Sequence, residues 1–185
     1  KPDGDAQRLQ RELLSAAGRF GELARIVEAE AERSLLPEER RRLRLEAAAH
    51  YLERAGESAR GQRCLTEVLV ESPTFLPALD RLLAHLHGRP LSPDLAERLR
   101  TLGARLLEVP LGEGEDPLEA EELGPLRRAA ALSRLAQFWL EAAPDDADIA
   151  IRWLERAIHW APERVEDVQR YGRLLEARGQ DAALV

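Results

Sequence analysis

The sequence predicts an all-α fold built from stacked pairs of helices. Three observations predict it. Helix-forming residues dominate and β-branched residues are sparse. Seven apolar or small residues, Leu45, Ala48, Ala49, Leu52, Gly61, Leu65 and Val68, return about 34 positions later as Leu79, Leu82, Leu83, Leu86, Leu95, Leu99 and Leu102. Within each set the first four follow i, i+3, i+4, i+7 and the last three follow i, i+4, i+7, so each group lines one helical face. A fixed period of this length, with two helices in it, is the mark of a stacked repeat array.

Composition narrows the function. The chain has 185 residues, 44% apolar and only 4% aromatic, so its interior must be built from Leu, Ala and Val. A net charge of −7 argues against a duplex nucleic-acid binder, which needs a basic face to displace counterions. It also argues against an anionic membrane surface. Lys1 is the only lysine, and Asn and Met are absent, so nearly every cation is Arg, a bias expected of a GC-rich bacterial coding sequence. Cys64 is alone and forms no internal disulfide. No segment approaches the apolar length of a membrane span, and the opening Lys1-Pro2-Asp3-Gly4-Asp5 is not a signal peptide. A cytoplasmic location follows as the expectation, together with membership in a larger protein.

The elements follow in order. Residues 1–5 are polar and turn-prone, so helix is expected from near Ala6, with Leu9, Leu13 and Ala17 on one face and Gly18 as its stop. Phe20 opens a second helix carrying Leu23, Val27 and Ala31. Pro37 suits the first turn of the next, with Glu38 and Glu39 favourable to its dipole, and Gly56 closes it. Its partner is expected over Ser58 to Glu71. A third pair carries Leu79 to Leu86, then restarts at Ser92-Pro93-Asp94, an N-cap followed by Pro. Residues 109–124 break the period with an acidic run, Glu113, Glu115, Asp116, Glu119, Glu121 and Glu122, readable as a tether or as a docking patch for a basic partner. Gly124-Pro125 restarts a helix with Leu132, Leu135, Ala136 and Trp139. Its partner carries Ala150, Leu154, Ala157 and Ile158, and a last unit begins with Val168, Tyr171, Gly172 and Leu175. The chain thus divides into N-terminal repeats over 1–108, an inter-repeat insertion over 109–124, and C-terminal repeats over 125–185, the last incomplete.

These residues resemble the tetratricopeptide repeat family. The second repeat matches its pattern as Leu45, Ala48-Ala49, Leu52, Gly61, Leu65 and Pro73. The fourth matches as Leu132, Leu135-Ala136, Trp139, Ala150, Leu154, Ala157 and Pro162. The resemblance implies a right-handed α-solenoid of four to five antiparallel helix pairs whose first helices line a concave groove. The groove would then present Glu46, His50 and Glu53 from the second repeat and Asp80, Ala84 and His87 from the third. Ser133 and Gln137 would follow from the fourth, and Arg173 from the last. Family members that clamp a terminal carboxylate with Lys and Asn in the groove have no counterpart here, since this face is acidic.

Enzymatic chemistry has no anchor in the sequence. There is no nucleophile elbow, Walker loop, dinucleotide fingerprint or paired-cysteine motif. His50, His85, His87 and His159 are the four histidines, and no two have the i, i+3 or i+4 spacing of a helical metal pair. Neither a cofactor nor a metal is expected. Trp139, Trp153 and Trp160 fit packing positions, and Cys64 a small helix-packing site. The expected function is a non-enzymatic scaffold that binds a protein or peptide through a repeat surface. Adjacent acidic stripes without an interleaved cation would favour a basic segment. The alternative is a regulatory segment of an enzyme whose catalytic domain lies outside this chain.

Overall fold

The computed structural model describes residues 2–108, 124–177 and 179, which form nine α-helices and, among themselves, no strand. In chain order these are α1 (Pro2–Ala16), α2 (Phe20–Arg33), α3 (Pro37–Ala49), α4 (Ser58–Glu71), α5 (Leu76–Leu86), α6 (Pro93–Glu108), α7 (Pro125–Ala142), α8 (Ala147–Trp160) and α9 (Val165–Ala177). A π turn, His50–Ala55, continues α3. The acidic run expected over 109–124 lies outside the described residues save Gly124.

Local chemistry sets the helix ends. Gly18, Gly56 and Gly88 follow α1, the π turn and α5 at φ +67, +69 and +70, the left-handed region in which a side chain would be strained. Pro37 and Pro125 occupy first-turn positions, where their missing N–H costs nothing. Ser92 caps α6 through a long bond from the Leu95 N–H at 3.4 Å. One start differs from expectation. α1 begins at Pro2 rather than near Ala6, because proline is pre-organised for the first helical position.

By packing, the chain forms two compact units, Lys1–Ser72 and Pro73–Val185. The sequence placed its division in the acidic run instead. The difference arises because α5 and α6 pack on α7 and α8, which lie beyond that run.

In the first unit α2 packs on both α1 and α3, and α3 on α4. Leu23, Ala24, Val27 and Ala31 of α2 and Leu43, Ala47 and Ala48 of α3 are buried. The π turn admits an extra residue into the helix and so shifts its phase. Tyr51, fully buried, donates its hydroxyl hydrogen to Glu28 at 2.7 Å, and Arg63 donates to the same carboxylate at 2.5 Å. Burial pushes the Glu28 carboxyl up, but the two donors and the Arg63 charge outweigh it and hold the group below its usual range. Burial, with Glu28 beside it, pushes the Tyr51 hydroxyl up to about 12. Arg40 meets Glu71 at 3.1 Å while Arg44 meets Glu67 at 3.2 Å, a reversed order that shows α3 and α4 to be antiparallel. Cys64, Leu65, Val68 and Leu69 complete this core.

In the second unit α7 packs extensively on α8, and small residues such as Ala136, Ala150 and Ala157 are fully buried on these two helices. Trp139 and Trp153 meet edge to face at 5.6 Å, and Arg100 of α6 lies 5.0 Å from the Trp139 ring. Gly103 of α6 sits against Trp153, because a Cβ there would fall 2.3 Å from the indole ring. Asp167 of α9, 1% exposed, accepts from Ser133 at 2.5 Å, Arg164 at 2.7 Å and Arg170 at 3.2 Å.

Leucines such as Leu65, Leu82 and Leu135 are fully buried, and each contributes about 1.5–3 kcal/mol. The half-exposed Arg–Glu pairs contribute about 0–1 kcal/mol each, so apolar packing decides stability and the pairs decide register. Four of the ties between helices, Arg11–Glu46, Arg25–Glu57, Glu28–Arg63 and Gln137–Arg170, join residues 32 to 35 apart, close to the period of about 34 seen in the sequence.

Candidate functional site

A groove lies in the second unit, between α5 and α7. Asp80, Leu83, Ala84 and His87 face Arg134, Gln137, Phe138 and Glu141 around about 250 Å³. The two helices run parallel in a constant register. Arg134 bonds Asp80 at 2.6 Å, and Glu141 meets His87 at 3.2 Å. Phe138 stands at the matching position to Ala84, between these two pairs. Leu83 and Phe138 are nearly buried and form an apolar floor, with Ala84 exposed above it. The volume suits one or two side chains of a bound segment better than a drug-sized ligand.

The electrostatics differ from expectation. Asp80 carries a guanidinium from Arg134. In the first unit Glu46 accepts from Arg11 and lies 3.6 Å from Arg42, with His50 at 4.0 Å. Cations therefore do interleave with the carboxylates of both stripes. The reason is the arginine-rich composition, which supplies partners from neighbouring helices that a single-helix reading leaves out. His87 is 72% exposed and its partner Glu141 50%, so solvent screens that pair.

The expected residues sort as follows. Asp80, Ala84, His87 and Gln137 come together in the α5/α7 groove. Ser133 does not, for it is buried and bonded to Asp167 of α9. Arg173 is exposed on α9 and bonds the Gln169 carbonyl of its own helix. Glu46, His50 and Glu53 belong to the first unit. There His50 stacks on Phe20 at 6.2 Å, Arg54 covers the same ring at 5.1 Å, and Glu53 is exposed.

Arg134, Phe138 and Glu141 were missed because the α7 face was taken one residue out of phase. A signal existed. Adding one constant to Asp80, Ala84 and His87 gives Arg134, Phe138 and Glu141, with Asp set against Arg at one end and His against Glu at the other.

Among the described residues no group of three or more His, Cys, Asp or Glu is arranged to hold a metal ion, and no helix is long and apolar enough to cross a membrane. Burial, with Glu28 and Glu67 nearby, pushes the Cys64 thiol up to about 12, which suits a packing residue. No protein-family model matches the chain, and no curated protein matches it significantly.

Proposed function

We propose that this chain is a non-enzymatic interaction module of the tetratricopeptide type. In this reading its helix pairs stack as a right-handed α-solenoid of four to five repeats within a larger bacterial assembly. The module takes a segment of a partner protein along the α5/α7 groove. The observation that carries this is the groove itself: an apolar floor at Leu83 and Phe138 between the Asp80–Arg134 ion pair and the His87–Glu141 contact. Such a surface takes an apolar anchor and offers both signs of charge to the flanking backbone and side chains. The sequence favoured a basic segment. With Asp80 and Glu141 each already paired, a mixed-charge segment with an apolar anchor fits better.

Ala84→Arg tests the reading, because Ala84 is exposed between the two pairs and a long side chain there fills the groove without entering the core. Wild type and variant are immobilised and the captured proteins compared. A partner held by wild type should be lost or weakened roughly tenfold by the variant. Equal capture by a folded variant would remove the α5/α7 groove as the site.

A further inference from the structure

The polar surface of the second unit continues past the α5/α7 groove onto α9. Gln137 lines that groove, and its Oε1 accepts from Arg170 of α9 at 3.3 Å. Ser133, one turn earlier on α7, donates to Asp167, also earlier on α9. The two pairs advance together along both helices, so α9 runs parallel to α7 as α7 does to α5.

Charge is unevenly matched on the α9 side. Asp167 meets Arg164 at 2.7 Å and Arg170 at 3.2 Å. Among the described residues no other carboxylate bonds either guanidinium, so two positive charges share one negative charge. The carboxylate is buried while both arginines are partly exposed, which leaves the surplus on the solvent side. At the groove itself Asp80 and Arg134 match one to one. The second amino group of Arg170 meets only the neutral amide oxygen of Gln137, at a distance beyond the usual range of about 2.7–3.2 Å. A carboxylate in that place makes a shorter, charge-assisted bond, roughly twice as strong. The Gln137 amide therefore holds a position that an anion would fill better.

We propose that Arg170, sharing Asp167 with Arg164, is a subsite of the α5/α7 groove for an acidic side chain of the bound segment. The partner sets an apolar side chain over Leu83 and Phe138 and an Asp or Glu onto Arg170, displacing the Gln137 amide. This rests on the groove being the partner site. Packed helices lie about 8–10 Å apart, and an extended chain advances about 3.3–3.6 Å per residue. The acid accordingly falls about three residues from the apolar anchor. A cation at that spacing would meet the surplus guanidinium instead.

The probe is a library of random nonapeptides displayed on phage, their C-termini fused to the coat protein so that only side-chain carboxylates are offered. It is selected on the intact chain, and enriched sequences should carry an apolar residue and an Asp or Glu about three positions apart. The most enriched peptide, labelled with fluorescein, is titrated with wild type, Ala84→Arg and Gln137→Glu. Gln137→Glu is close in shape and lies at an exposed position, so it keeps the fold while giving Arg170 a carboxylate of its own. It should weaken the acidic peptide roughly tenfold and leave unchanged the same peptide with its acid replaced by the amide. Circular dichroism and thermal melts confirm that both variants are folded. Peptides displaced by Ala84→Arg that carry no acid, or an acidic peptide indifferent to Gln137→Glu, overturn the α9 subsite and leave the groove standing. No enrichment, or enriched peptides indifferent to Ala84→Arg, removes the groove and the subsite with it.

Discussion

Gly103→Ala sets a steric clash against a gain in helix propensity, and the structure decides the sign. In the middle of α6 alanine is favoured over glycine by about 1 kcal/mol. Yet a Cβ at Gly103 would lie 2.3 Å from Cε2 and Cζ2 of Trp153 and 2.5 Å from its Nε1. Ordinary contact is about 3.5–4.0 Å, so the ring must retreat by more than about 1 Å. It has little room. Trp153 is 2% exposed and abuts Trp139, which is fully buried and tied through its Nε1 to the Asp146 carbonyl at 3.2 Å. Overpacking of this kind costs about 1–3 kcal/mol, and the depth of overlap places it at the upper end. The net effect is a loss of about 2 kcal/mol, or roughly 6–10 °C in the melting temperature of the second unit.

Tryptophan emission during urea and thermal unfolding is the assay, since Trp139, Trp153 and Trp160 all lie in that unit. Gly61→Ala is the control. Its Cβ would meet the Leu52 side chain at 2.4 Å, but Leu52 is only half-buried and its branched end can rotate away. That variant should stay within about 1 kcal/mol of wild type, because the propensity gain offsets the adjustment. Trp153→Leu should make Gly103→Ala neutral or stabilising, a coupling of about 2–3 kcal/mol. A Gly103→Ala chain as stable as wild type would refute the packing of α6 on Trp153.

Asp167→Ala should destabilise the second unit by about 2–3 kcal/mol in the same assay. It strips the partner from Ser133, Arg164 and Arg170, and the partial exposure of the two arginines keeps the loss below that of a fully buried pair. The first unit should lose stability as pH falls below 4.5, because Glu28 and Glu71 both titrate lower when folded than unfolded. For Glu71, burial acts upward and is outweighed by hydrogen bonds from Arg44 and Arg40. At the other extreme, stability should fall as pH rises from 10 towards 12, since folding holds the Tyr51 proton on. Tyr51→Phe should reduce that alkaline loss and leave the share due to the buried Cys64 thiol, whose proton folding also holds on, as read by denaturant melts across the range. Cys64 should resist a disulfide exchange reagent at pH 8 in the folded chain and react at once in denaturant. Rapid labelling under native conditions would contradict its burial.

The helices were legible because their ends are written in residues with one conformational use. Gly18, Gly56 and Gly88 mark stops and Pro37, Pro93 and Pro125 mark starts, each for a steric reason that needs no tertiary information. The Leu79 to Leu102 set is buried throughout, so the helical period identified that face correctly. Three things were not legible. In the second repeat Leu45, Ala49 and Leu52 are only half-buried, because the buried face runs through Leu43, Ala47 and Tyr51 instead, and the neighbouring helices set that choice. Val168, matched to a packing position, is 43% exposed. The groove partners Arg134, Phe138 and Glu141 lie beyond the acidic run, so the phase of α7 against α5 depends on a connection whose sequence carries no periodic signal.

The lengths of the polar ties have a mechanical meaning. Arg11–Glu46, Arg25–Glu57 and Glu28–Arg63 in the first unit join residues 32 to 35 apart, whereas Arg134 and Asp80 in the second lie further apart along the chain. Opening a tie of the first unit frees no more than the chain between its partners, roughly 110–120 Å when extended, and opening Arg134–Asp80 frees a longer loop. Force spectroscopy should therefore record short steps from the first unit and a longer one from the second.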